Sequence, residues 1–471
     1  MPPEMTVKAQ SETSNSPSQT RPTNIPTQSE LERMGRQRPD IFKTWWAEIG
    51  FYFSILGSML LAEYFISRFT IILPTLSTAL DIPPESRTWP ANVFSLVTGA
   101  FLLPFARLSE MYGAYTVFTS GLGWLHGFSQ NFLMLTFCRA LQDFGPTAFL
   151  PSGIMLLGSI YRPGPRKNLV FCLYGTFSPL GFFSGIFIGG LSGDHIRWSW
   201  YFWIAAILLA VVSLVALAYI PSDRLDQRSK QVKMDWMGAA TIVPGLLLVV
   251  SAITDSSHAP PGWSTPYIYV TLIIGVVFLC CAFYVEGWIS DKPLLPFDLQ
   301  ICACDNSLVR AHGRRRTRPR HSWRVTLHLL SGKVLFVASG TGYVVSVLLF
   351  ALIPERFSYW AYVFPAMLGV DVTYSVSNVF ITTSLPKHQQ GLAGAVVWVV
   401  IFLGIVFFLG VADIVVSCTA HLGVRKTYKA AFWFATGCAG LGLLLFVGFV
   451  DVGQAKSAFT ADEKAELEAK Q

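Results

Sequence analysis

Twelve long apolar stretches, separated by short polar loops, decide what this chain can fold into. A bilayer core of roughly 30 Å takes about 20 apolar residues to cross as a helix. Lipid offers the backbone no water, so each stretch must close its hydrogen bonds within itself, as a helix does. The spans read 50–73, 90–106, 116–132, 134–160, 168–191, 200–220, 237–254, 267–288, 334–353, 359–384, 392–417 and 430–450. The expected fold class is an all-α polytopic membrane protein, a helical bundle of about 12 transmembrane helices.

Composition agrees. The chain is 52% hydrophobic and 13% charged, about half the charged fraction of an ordinary soluble domain. A net charge of +7 would suggest a nucleic-acid partner in a soluble protein. Here the basic residues collect in alternate loops, so no nucleic-acid partner is expected. Residues 1–40 are polar and lack an apolar h-region, so no cleavable signal peptide is expected. The run SETSNSPSQTRPTNIPTQSE has the composition of a disordered tail. The eight cysteines show no pairing pattern, and Cys302-Ala-Cys304 is not the C-x-x-C of a zinc or redox site.

Lys and Arg favour cytoplasmic loops. With the amino terminus inside, the cytoplasmic connections carry 18 of them and the outer ones six. Three of those six, Arg425, Lys426 and Lys429, crowd into the last outer loop as an exception. Both termini are therefore placed in the cytoplasm.

Several segments carry a family resemblance. The loop after span 2, PFARLSEMYGAY, resembles the signature G-x-L-a-D-r-x-G-r-[RK] of the major facilitator superfamily. Leu108 and Gly113 match, Arg107 takes a variable position, and Glu110 stands where the family has Asp. Ala106 replaces the first Gly, and Met111, Ala114 and Tyr115 replace the usual basic residues. A carboxylate there can hold a neighbouring helix end and lock one conformation, so Arg107, Glu110 and Gly113 form the expected cytoplasmic gate. Span 4 holds LTFCRALQDFGPTAFLPSG, which resembles the family's R-x-x-q-G-x-g element through Arg139 and Gln142, with Asp143 in place of a Gly. An intramembrane Arg is costly and points to function. Arg139 and Asp143 are four apart and share a face, so a coupling site and a structural ion pair are both open. Span 5, YGTFSPLGFFSGIFIGG, resembles the antiporter element g-x-x-x-G-P-x-x-G-G, with Ser178 replacing the Gly before Pro179. Gly181, Gly185 and Gly189 bare one face for close helix approach, and Pro179 removes a backbone donor.

WSWYFWI, MDWMGAA, NVFSLVTGAFLLPFARLSEMYG and SLPKHQQGLAGAVV extend the resemblance to the fungal drug:proton antiporter branch with fourteen spans. This chain shows twelve. Where two spans of that branch belong stands ICACDNSLVRAHGRRRTRPRHSW, dense in arginine and without apolar periodicity. Three explanations stay open: a missed splice or shifted frame in the coding sequence, a true deletion, or a polybasic element for anionic lipid. The resulting organisation is a disordered cytoplasmic tail (1–45), a six-helix bundle (46–220) and a loop with two additional helices (221–300). A basic cytoplasmic segment (301–333), an incomplete C-terminal set of helices (334–453) and a cytoplasmic tail (454–471) follow.

In span 10, Asp371, Tyr374, Ser375, Asn378 and Thr382 recur at steps of three and four and form one polar stripe. It lines a wet cavity or bonds to another helix; Asp371 and Asn378 are the cavity candidates. In span 1, Glu63 lies mid-span, where a carboxyl that can be carried neutral is a candidate proton carrier. Arg68, five residues on, points away from it. Glu286 and Asp413, near span ends, are expected at the membrane interface. The eight histidines are scattered, and neither a G-x-S-x-G elbow nor a G-x-x-x-x-G-K-[ST] loop occurs, so neither an enzyme nor an ATPase is indicated and no cofactor is expected.

The resemblance thus implies a monomeric secondary transporter in the plasma or vacuolar membrane, exchanging small organic molecules or toxic ions for protons. Glu63, Arg139, Asp143, Asp371 and Asn378 are the coupling candidates, and Pro179, Gly181 and Gly185 shape the fifth span. The alternative is a non-transporting sensor or a decayed transporter-fold protein.

Overall fold

A computed structural model describes residues 28–67, 89–122, 132–194, 198–221, 233–256, 259, 264–290, 293–294, 332–352, 373, 376–378 and 390–449. The structure is all-α. A short amphipathic helix α1 (Gln28–Arg36) precedes α2 (Trp45–Ser67), α3 (Trp89–Tyr112) and α4 (Ala114–Leu122). Then come α5 (Phe132–Gln142), α6 (Phe144–Ile160), α7 (Pro165–Asp194) and α8 (Trp198–Tyr219). The rest is α9 (Trp236–Ser256), α10 (Pro266–Tyr284), α11 (Gly332–Leu352), α12 (Gln390–Thr419) and α13 (Val424–Phe449). Among the described residues, nine helices are long and apolar enough to cross a membrane.

The helices sit where the apolar runs place them. Span 4 appears as α5 and α6, joined at Asp143 with helical backbone (φ −71°, ψ −17°). The Asp143 N–H bonds the Arg139 carbonyl and the Thr147 N–H bonds the Asp143 carbonyl, so the ladder continues through the junction. The expected span 10 falls largely outside the described residues, as do segment 301–331, residues 1–27 and the tail 454–471; the part of the expected 1–45 tail that is described, residues 28–45, carries α1. The break between α3 and α4 rests on Gly113, whose φ of 94° is left-handed. Its N–H closes on the Ser109 carbonyl, ending one helix, and its carbonyl receives the Val117 N–H, opening the next. A glycine relieves the steric cost of that turn.

The main core lies among α2, α4, α6, α7 and α8, where Phe51, Ile55, Met59, Phe118, Phe149, Ile154 and Tyr174 are buried together. Tyr64 of α2 and Tyr201 of α8 stack with centroids 4.5 Å apart. Each phenol donates to the other's backbone carbonyl, at 3.3 and 2.8 Å. Helix α12 crosses to this half and packs along α3 and α6. Helices α9 and α10 pair with each other, as do α11 and α13.

Helix α7 runs unbroken through Pro179 and lies along α2. The bare face read from the sequence is the one used: a β-carbon on Gly181 would strike the Leu60 carbonyl, and one on Gly185 would lie 2.9 Å from the Tyr64 carbonyl. Those neighbours are backbone and cannot yield by turning a rotamer. Gly181→Ala should therefore destabilise the protein by about 1–3 kcal/mol, whereas Gly190→Ala, with nothing within 4 Å, should be neutral or slightly stabilising. Thermal melts of the two variants in detergent check this; equal melting points would sink the packing argument.

Candidate functional site

Arg139, on α5, is only 2% exposed. Its Nη2 donates to the Phe65 carbonyl of α2 at 3.2 Å, and Nη1 to Gln142 Oε1 at 3.3 Å. The guanidinium also lies over the Phe94 ring of α3, 5.0 Å from its centroid. One cation thus ties three helices. Phe65 sits in the last described turn of α2. Gln142 and Asp143 beside it are also buried, Asp143 completely. Glu63 is half-buried, one turn or less from Phe65 on α2. Ser67, buried in the last described turn of α2, leaves its hydroxyl without a hydrogen bond among the described residues and faces Gly185 of α7. A charge and an amide group therefore gather where α2, α3 and α5 meet.

A second constellation joins the two ends of the chain. Arg107 Nη1 pairs with Glu110 Oε2 at 2.9 Å on α3. Glu110 is buried, and it also receives a backbone hydrogen bond from Leu392. Leu392 lies near the start of the described part of α12. Leu103 and Ala106 of α3 and Leu392 and Ala395 of α12 close over the contact. The carboxylate of the loop motif thus holds the backbone of a neighbouring helix, while Gly113 supplies the turn behind it.

A third constellation is absent from the sequence argument. Glu48, near the start of α2, is 1% exposed and accepts from Arg166 Nη2 at 2.6 and 2.7 Å and from Nε at 3.0 Å. Tyr52 and Tyr161 donate to the same carboxylate at 2.7 and 3.1 Å. Burial, followed by the neighbouring Tyr52 and Glu48, pushes the Tyr161 phenol far above the ordinary tyrosine range, which keeps it a donor. Arg166 Nη1 reaches on to the Arg36 carbonyl, which ties α1 to this knot. Glu48 and Arg166 are 118 residues apart; only the conjunction of an acid in an apolar run and an Arg at a helix start hints at them.

Of the other candidates, Asn378 is fully buried and Asp371 lies outside the described residues. Thr373, on the same stretch, shares a hydrogen bond with Ser339 of α11, so the stretch carrying the polar stripe bonds to a neighbouring helix there. Glu286, expected at the interface, is instead buried at 6% exposure, because the pairing of α9 with α10 covers it. Asp413 is half-buried.

Comparison with known proteins agrees with this architecture. The sequence profile of the Major Facilitator Superfamily matches residues 53–303. The chain is 30% identical over 433 residues to a low affinity ammonium transporter of Saccharomyces cerevisiae, covering 80% of this chain and 82% of that one. It is 27% identical over 460 residues to the efflux pump terJ of Aspergillus terreus, covering 85% and 88%. Among solved structures, the human organic anion transporter MFSD10 superposes with a TM-score of 0.53 at 15% identity, over 84% of this chain and 99% of that one.

Proposed function

This chain belongs to the major facilitator superfamily, and from that premise we propose that it is a proton-coupled exporter of small organic molecules or toxic ions. Membership makes it an integral multi-pass membrane protein that binds a small-molecule substrate. Export in exchange for protons is the finer step. The observation that carries it is Arg139, a buried cation held by three helices, with the buried Asp143 four residues on. A buried positive charge with a carboxyl on the next turn allows substrate and proton to compete for one site, because each changes the charge that the other meets. The terJ relative is an efflux pump, which supports the outward direction.

Alternating access needs two bundles that rock about a midplane site. The clasp of Glu110 on the α12 backbone suits one element of a gate, since a single charge-assisted contact there can form and break as the two helices move. With the amino terminus inside, that gate faces the cytoplasm, and the plasma and vacuolar membranes are the proposed locations. Reconstitution of the purified chain into vesicles with an imposed pH gradient tests the proposal. The panel should hold lipophilic cations, organic anions and methylammonium. Gradient-driven movement of at least one, abolished by a protonophore, is the expected result. A folded, inserted chain that moves none of them would return it to the sensor or decayed class.

A further inference from the structure

Helix α13 carries the basic residues that break the loop pattern. Arg425, Lys426 and Lys429 lie not in a loop but on its first two turns, and the helix holds no acidic residue. A short 3-10 turn, Ala420–Leu422, and Gly423 at a φ of 86° join it tightly to α12. Thr427 Oγ1 donates to the Thr419 carbonyl at 2.8 Å, which fixes the start of α13 against the end of α12. Cations placed there gain nothing from the helix itself, because the positive end of its dipole lies at its start. With the amino terminus inside, they also stand on the side of the membrane that such residues avoid.

Arg425 has a contact of its own. Lys426 and Lys429 are three residues apart and share a face, Lys426 exposed and Lys429 half-buried. That face continues one turn on with Trp433, which is 50% exposed. Beyond it come Gly437 and Gly440, where a β-carbon would meet nothing within 4 Å. Helix α11 covers a different face, through Phe350 against Phe432 and Phe336 against Phe446. Among the described spanning helices, α13 is the least covered by the rest of the chain. Two cations, an aromatic ring of the kind that settles at a membrane interface and an open apolar surface thus follow one another down one face. A phospholipid presents its headgroup, glycerol region and acyl chains in the same order.

We propose that Lys426 and Lys429 bind the headgroup of an anionic phospholipid, whose glycerol region lies against Trp433 and one of whose acyl chains runs along Gly437 and Gly440. The negative headgroup offsets both costs of placing cations at the start of α13. The rigid turn at Gly423 and Thr427 holds the two ammonium groups at headgroup depth without a loop having to be ordered first. The site stands whether or not the chain exports a substrate.

Fluorescence quenching by brominated phospholipids, read on the purified full chain in phosphatidylcholine vesicles, tests this without a transport assay. The difference between the wild type and Trp433→Phe isolates the Trp433 signal. Each cation near an anionic lipid contributes roughly a fivefold preference. Brominated phosphatidylglycerol should therefore quench Trp433 roughly tenfold more effectively than brominated phosphatidylcholine at the same low mole fraction. Lys426→Gln combined with Lys429→Gln should abolish the preference, each single substitution should lower it, and the paired Lys→Arg changes should keep it. Equal quenching by the two lipids in the wild type overturns the proposal before any lysine is changed. A preference that survives the paired glutamines overturns it as well, since it would belong to other cations. Relief of the quenching by inorganic phosphate at constant ionic strength would assign the lysines to a soluble anion and also remove the lipid.

Discussion

Replacing Arg139 with alanine should reduce transport by roughly a hundredfold or more, equivalent to about 2.7 kcal/mol on the barrier, while the chain still inserts and folds. The reasoning begins with geometry. Arg139 is not a peripheral cation with water to turn to; it is 2% exposed and its bonds go to Phe65 on α2 and Gln142 on α5. Each hydrogen bond to a charged group contributes about 1.5–3 kcal/mol, enough to fix the local geometry but less than the burial that holds the helices. The Tyr64–Tyr201 pair and the apolar core of α2, α6 and α8 remain when Arg139 is removed. Stability should therefore fall modestly and function severely. Arg139→Lys separates charge from shape. An ammonium is a point donor, without the planar fork that spans Phe65 and Gln142 and stacks on Phe94. It should retain part of the activity. The check is the initial rate in vesicles, normalised to reconstituted protein, beside a thermal melt. An alanine variant that keeps more than a tenth of the wild-type rate would remove Arg139 from the coupling machinery.

Arg139 was visible in the sequence because an Arg in an apolar run cannot be ignored and its motif neighbours are adjacent in the chain. Glu110 and Gly113 were visible for the same reason, though the partner of Glu110 on α12 was not. The glycines of α7 announced a close approach without naming α2 as the helix that makes it. Glu48 and Arg166 were hidden by their positions: each lies near a helix start, where a charge is ordinarily solvated, and Arg166 served only to orient the loops. Only packing α2 against α7 puts them in contact. Glu286 misled through the same assumption, since its place near a span end suggested the interface and the pairing of α9 with α10 buried it. Periodicity and apolar length thus fixed the helices, whereas polar contacts between distant helices needed the assembled bundle.

The Glu48 knot gives the largest expected loss of stability. Arg166→Ala should cost about 3–5 kcal/mol, because removing one partner of a buried ion pair strands the other's charge. Here the stranded group is Glu48, 1% exposed, with two phenols as its remaining donors. The reverse substitution should cost less. Arg166 keeps 28% of its side chain exposed, so after Glu48→Gln it can turn toward water, and the amide still accepts from Tyr52 or Tyr161. The ordering Arg166→Ala worse than Glu48→Gln is therefore the sharp part of the expectation. The double variant should recover stability relative to Arg166→Ala alone, since the buried charge is gone. A double-mutant cycle of melting free energies isolates that coupling. Arg166→Lys should rescue only partly, because one ammonium cannot bind both Glu48 oxygens and also reach the Arg36 carbonyl. Additive losses, or a Glu48→Gln deficit as large as that of Arg166→Ala, would mean that the pair is an ornament on a bundle held by its apolar core. Coupling of the expected sign would make it a clamp that ties α1, α2 and α7 together.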